Sequence, residues 1–115
     1  MWPFTRSGRP DAPEIGRIDV TTAFARSKRG AKLVDVRSAR EFSSGHPKGA
    51  RSLPPQRIKN DDTGLARDDE ILVICLSGHR SSRQAKKLAR LGYTNVSEVQ
   101  GGLMAWKKAG LPVKK

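Results

Sequence analysis

At 115 residues the chain holds one compact domain, and its 36% hydrophobic residues suffice for a single core of helices and strands. A formal charge of +12 and a pI near 10.7 give it a strongly basic surface, which bears on solubility and encounter with anions rather than on chemistry. The single cysteine, Cys75, excludes an intramolecular disulfide, and with only His46 and His79 beside it the set is too thin for a structural zinc site, so no metal is expected.

No apolar run approaches the roughly 20 residues that cross a bilayer, and residues 1–10 lack the apolar stretch of a signal peptide. No membrane is expected, and the expected location is cytoplasmic. Residues 1–15 hold Pro3, Gly8, Pro10 and Pro13 among mixed charges and read as a lead-in, with the globular domain over 16–113.

Thr21 or Thr22 is positioned to cap a short helix running to about Lys28 and ended by Gly30. Leu33–Val36 follows as a buried strand with one acidic residue, Asp35. Ser38 and Glu41 have capping-box spacing, which predicts a helix over Ala39–Ser43 that stops at Gly45. Gly49–Leu53 reads as a short strand ended by Pro54 and Pro55, and residues 56–69 as a polar loop with a turn at 60–64. Ile71–Cys75 is a continuous apolar, mostly β-branched run, the mark of a strand buried on both faces of a parallel sheet. Arg80–Leu91 is the strongest helix, with Ser82, Ala85, Leu88 and Ala89 as its inner stripe, Arg83, Lys86, Lys87 and Arg90 on other faces, and Gly92 at its C-terminal cap. Val96–Val99 is another strand. Gly101 and Gly102 make a turn, and a last helix over Leu103–Ala109 buries Trp106. Strands alternating with helices over short connections predict an α/β domain with a central, mostly parallel sheet, whose ligands bind at the carboxyl ends of strands.

Cys75 ends the most hydrophobic strand, and Leu76, Ser77, Gly78, His79 and Arg80 lead from it into a helix. Three features converge on the thiol. The helix N-terminus offers unpaired N–H groups and a partial positive charge. Gly78 lets the loop curl into a concave nest of amides. Arg80 adds a full charge and a planar fork of donors. All three favour an anion and lower the thiol pKa, and the thiolate is the reactive form.

In order along the chain stand Leu33-Val34-Asp35-Val36-Arg37, Glu41-Phe42 with Gly45-His46 and Gly49-Ala50, and Leu53-Pro54. Then come Ile71–Cys75 with Ser77–Ser81, Gly92-Tyr93 with Asn95-Val96, and Val99–Gly102 with Trp106 and Gly110–Pro112. In this order and spacing, over about residues 17–112, the chain resembles the rhodanese-homology domains. The resemblance implies a three-layer α/β fold, with a five-stranded, mostly parallel sheet between helices. It implies a sulfurtransferase that moves sulfane sulfur from a donor such as thiosulfate, or a protein persulfide, to cyanide or a thiol through a persulfide on Cys75. No cofactor is implied. Carried over to this chain, Cys75 is the nucleophile, Leu76, Ser77, Gly78, His79 and Arg80 are the anion-binding loop, and Asp35 and Arg37 support it through an ion pair with a loop residue. Family loops often carry a second arginine where this chain has Leu76, so the loop holds less fixed charge. His46 is expected to hold a turn by a hydrogen bond, and His79 to face solvent.

A cysteine-dependent phosphatase or arsenate reductase on the same fold is the first alternative; such relatives use a loop one residue longer than the six residues from Cys75 to Arg80. A non-catalytic rhodanese-like module is the second, weakened by the presence of Cys75. Nucleic acid is not expected, since no aromatic residues interleave with the basic ones. Nucleotide cofactors are not expected either, because no phosphate-binding glycine motif is present.

Overall fold

The computed structural model describes residues 14–115, so the lead-in expected over 1–15 lies outside the described residues up to residue 13. The elements are β1 (Gly16–Ile18), α1 (Val20–Lys28), β2 (Lys32–Asp35), α2 (Ala39–Ser44), β3 (His46–Pro47) and β4 (Arg51–Ser52). They continue with α3 (Pro55–Lys59), β5 (Glu70–Ile74), α4 (His79–Arg90), β6 (Asn95–Val99), α5 (Gly102–Lys108) and β7 (Val113–Lys114). Five strands form one sheet in the order β1-β6-β5-β2-β4, and every neighbouring pair is parallel. The α/β class holds. β3 and β7 form a separate antiparallel ribbon, with His46 opposite Lys114.

The period-two geometry of the strands divides the core in two. Val34, Val36, Ile71, Val73, Cys75 and Val96 face one side and pack with Ile58 of α3 and Ala85 and Leu88 of α4. Leu33, Leu72, Ile74 and Val99 face the other and pack with Val20, Ala23, Leu103 and Trp106. Ile71, Leu72, Val73 and Ile74 of β5 are each fully buried, and each contributes about 1.5–3 kcal/mol relative to an exposed side chain. The strand that carries Cys75 is thus the most firmly held element of the sheet. Trp106 is fully buried, donates from Nε1 to the Pro112 carbonyl at 2.8 Å and meets Phe24 edge-to-face at 5.5 Å.

Several local expectations need correction. The cap of α1 is Asp19, whose carboxylate accepts from the Thr22 amide at 2.8 Å, because Thr21 and Thr22 already lie in the first helical turn. The loop expected over 56–69 begins with α3, which Pro55 opens with its preset φ and which Ile58 anchors in the core. The buried face of α4 is Ser81, Gln84, Ala85 and Leu88, while Ser82 and Ala89 are only half-buried, since α4 packs on α3 as well as on the sheet. The capping box of α2 forms as expected, with Glu41 and Ser38 bonding each other's backbone amides.

Candidate active site

β5 delivers Cys75 to the carboxyl edge of the sheet, between the ends of β2 and β6. Gly78 caps α4 in the left-handed conformation, φ +109°, and this turns its amide back onto the Cys75 Sγ at 3.0 Å. The residue is 1% exposed, whereas Leu76, Ser77, His79 and Arg80 around it are exposed. The sulfur therefore sits at the base of a small cup whose rim is the loop.

Burial pushes the Cys75 thiol up, but donors outweigh it: the Ser81 hydroxyl first, then the amides of Ser81, Gly78 and Ser77, for a net lowering. In the thiol form the Ser81 hydroxyl donates to the Gly78 carbonyl at 3.2 Å, and as a free rotor it can turn its proton to the thiolate. The thiolate is thus stabilised by neutral donors. Arg80 interacts with Cys75 through space only, because its guanidinium is bidentate on Glu41 of α2, at 2.9 and 3.1 Å. That pairing, led by the Arg80 hydrogen bond and then the Ser38 amide, brings the Glu41 carboxyl down to about 2. Arg80 thus ties the loop to α2, and most of its charge is matched there.

The expected ion pair between Asp35 or Arg37 and a residue of the cysteine loop is replaced by a pair between these two residues themselves. Arg37 reaches Asp35 at 2.7–3.1 Å through Nε and Nη2, both side chains are buried, and Nη2 also donates to the Gly45 carbonyl at 2.7 Å. The pair is short in sequence and faces α2, so it latches the end of β2 to the turn after α2. His46 donates from Nδ1 to the Phe42 carbonyl at 2.8 Å and stacks on the Phe42 ring, as a turn-holding residue does. His79 is exposed and bonds the Ser77 hydroxyl at 3.2 Å.

The floor of the site is made by α5. The Leu103 amide donates to the Cys75 carbonyl at 2.8 Å and the Met104 amide to the Leu76 carbonyl at 3.0 Å. Gly102 sits so close to this loop that a Cβ on it would lie 2.5 Å from the Cys75 and Leu76 backbone. Among the described residues no group of three His, Cys, Asp or Glu side chains could hold a metal ion.

A family model, the rhodanese-like domain, matches residues 20–109. The chain belongs to this family. It is 34% identical to thiosulfate sulfurtransferase 16 (chloroplastic) of Arabidopsis thaliana, over 84% of this chain and 91% of that protein. A solved rhodanese-like domain from Anabaena sp. superposes with a TM-score of 0.79 at 26% identity, covering 88% of this chain and 80% of that one. A solved Rhodopseudomonas palustris protein, described as of unknown function and a possible tyrosine phosphatase, superposes with a TM-score of 0.74 at 27% identity, covering 87% and 85% of the two chains. Within this rhodanese-like frame the sequence reading passed over two residues. Ser81 lies in the first turn of α4 on its buried side, a position the shifted inner stripe concealed. Glu41 was legible as a capping residue and as part of the family pattern, but its role as the Arg80 partner depends on α2 and α4 meeting in space. No helix among the described residues is long and apolar enough to cross a membrane.

Proposed function

We propose that the protein is a sulfurtransferase that carries sulfane sulfur as a persulfide on Cys75. The observation that carries this reading is the cup of neutral donors around one buried sulfur, with the Gly78 amide 3.0 Å from Sγ. The Cys75 thiolate attacks the outer sulfur of a donor such as thiosulfate; the donor S–S bond breaks and sulfite leaves with the electron pair. The terminal sulfur of the persulfide then holds its negative charge against the loop amides. An acceptor thiolate or cyanide takes that sulfur, and Cys75 returns as thiolate. One transfer becomes two easier displacements. Asp35 and Arg37 serve by fixing the turn after α2, the helix whose Glu41 holds Arg80.

Phosphoryl transfer, the reading attached to the Rhodopseudomonas palustris neighbour, asks the loop arginine to meet a dianionic phosphate. Here Arg80 is engaged by Glu41, and the position after the cysteine is Leu76, 39% exposed and uncharged. Neutral hydrogen-bond donors, with the nearby arginine already paired, suit a sulfur atom with one negative charge better than a phosphate dianion. The test is turnover of thiosulfate with cyanide beside turnover of an aryl phosphate, each with Cys75→Ser as control. Thiocyanate production that the substitution abolishes, without aryl phosphate hydrolysis, supports the proposal; hydrolysis without thiocyanate overturns it.

A further inference from the structure

α4 holds Arg80, Arg83, Lys86, Lys87 and Arg90 and no acidic residue. Arg80, Arg83, Lys87 and Arg90 recur at helical spacing and fall on one side of the helix, next to its buried face. That side looks onto α3. The seam between the two helices opens into two cavities. One, about 380 Å³, is lined by Pro55, His79, Arg80, Arg83 and Gln84 and adjoins the cysteine loop. The other, about 230 Å³, has Ile58 and Leu91 at its floor and Lys59, Lys87 and Arg90 around it. Arg80 is matched by Glu41, but none of Lys59, Arg83, Lys87 and Arg90 pairs with an acid among the described residues. Gln84, buried in the wall of the first cavity, has its Oε1 without a hydrogen-bond partner, an acceptor open to an N–H.

We propose that the α3–α4 seam docks an acidic segment of a protein thiol that accepts the sulfur from Cys75. This rests on the sulfurtransferase reading and names the class of its acceptor. Arg83, Lys87 and Arg90, an unmatched strip over about 10 Å of α4, and Lys59 across the seam on α3 are the complement of a short acidic segment, and the apolar floor accepts its hydrophobic side chains. The strip begins at the loop that holds Cys75, so a segment bound along it brings a neighbouring cysteine to the persulfide. That thiolate attacks the terminal sulfur; the new S–S bond forms on the partner, and the old one breaks with its electron pair left on Cys75. The thiolate consumed is replaced by the thiolate released. Nucleic acid fits less well, because no Phe, Tyr or Trp side chain lines either cavity to stack a base.

The probe is a pair of synthetic peptides, each with one cysteine, a neutral spacer and either a run of glutamates or the same run as glutamines. Sulfur transfer from persulfidated protein should be about tenfold faster to the acidic peptide at low salt, converging with the glutamine peptide at high salt. Arg83→Gln, Lys87→Gln and Arg90→Gln together should erase the difference and leave thiosulfate–cyanide turnover unchanged. Removing the same charge at Lys107, Lys108 and Lys114 should leave the difference in place. Equal rates for the two peptides, or a preference that survives the α4 triple substitution, overturn the proposal. Fluorescence anisotropy with cysteine-to-serine versions of the peptides reads docking without chemistry. A protein that forms no persulfide but binds the acidic peptide through α4 therefore fails as a sulfurtransferase, not as a docking surface. Tighter binding of a single-stranded oligonucleotide, lost in the same triple substitution, assigns the strip to nucleic acid and overturns the acidic-protein proposal.

Discussion

Gly102→Ala should damage the active-site loop from beneath, and the structure fixes how much. The position has φ +60°, and an added Cβ would lie 2.5 Å from the Cys75 carbonyl oxygen and from the Leu76 carbonyl carbon and oxygen. These are backbone atoms, so no side chain can swing aside. Relief requires α5 or the loop to move by about 1 Å to reach ordinary contact. The amides of Leu103 and Met104, bonded to those same carbonyls, resist that movement. The left-handed φ alone costs an alanine about 1–2 kcal/mol, and overpacking adds about 1–3 kcal/mol. Gly110→Ala separates the two contributions: its φ is +75°, but nothing lies within 4 Å of an added Cβ. Urea denaturation should place Gly102→Ala about 1–3 kcal/mol below Gly110→Ala, with an unchanged m value. A loop displaced by about 1 Å should also slow persulfide formation on the order of a hundredfold, while Gly110→Ala keeps the parent rate. Equal stability of the two variants, or a Gly102→Ala protein within about twofold of the parent rate, would refute the argument that α5 sets the loop's position.

Ser81→Ala removes a hydroxyl that can turn its proton to the thiolate; the pH midpoint of alkylation by iodoacetamide should move up, and the neutral-pH rate should fall on the order of tenfold. Leu76→Arg restores fixed charge at the mouth of the site and should lower KM for thiosulfate several-fold at low salt, an advantage that shrinks as salt is added, as steady-state kinetics will read. Glu41→Gln breaks the pairing with Arg80. The folded-state carboxyl lies near 2, below its ordinary 4.5, so its contribution is complete above about 4.5 and fades as pH falls toward 2. Acid titration should show the variant less stable at neutral pH by about 1 kcal/mol or less, since both side chains are over a third exposed, and the two proteins should converge near pH 2.

What the sequence made legible follows from where each signal resides. The Ile71–Cys75 run and the alternation of strands with helices are local patterns, and they led directly to a parallel sheet with Cys75 at its carboxyl edge. Ser38 and Glu41 gave the α2 cap for the same reason, because both partners lie within one turn. α3 was hidden because a single turn opened by Pro55 and anchored only by Ile58 has too few residues for a periodicity. The buried face of α4 was displaced because α3, itself unseen, shares in covering it. Asp35 and Arg37 were singled out, yet their mutual pairing was not, since a two-residue separation in a strand ordinarily points side chains along one face without fixing which partner each will choose. The Arg80–Glu41 contact spans 39 positions and is visible only in the fold. The consequence is a revised electrostatic picture, in which the cup around Cys75 is built from amides and a hydroxyl, and the loop arginine serves as a tether to α2.

Intact mass of the reduced protein after incubation with thiosulfate, taken under non-reducing conditions beside Cys75→Ser, tests the central claim most directly. A gain of one sulfur atom that cyanide removes and the substitution abolishes is the predicted result. No gain, from thiosulfate or from a cysteine-desulfurase persulfide donor, while Cys75 still alkylates, would contradict it.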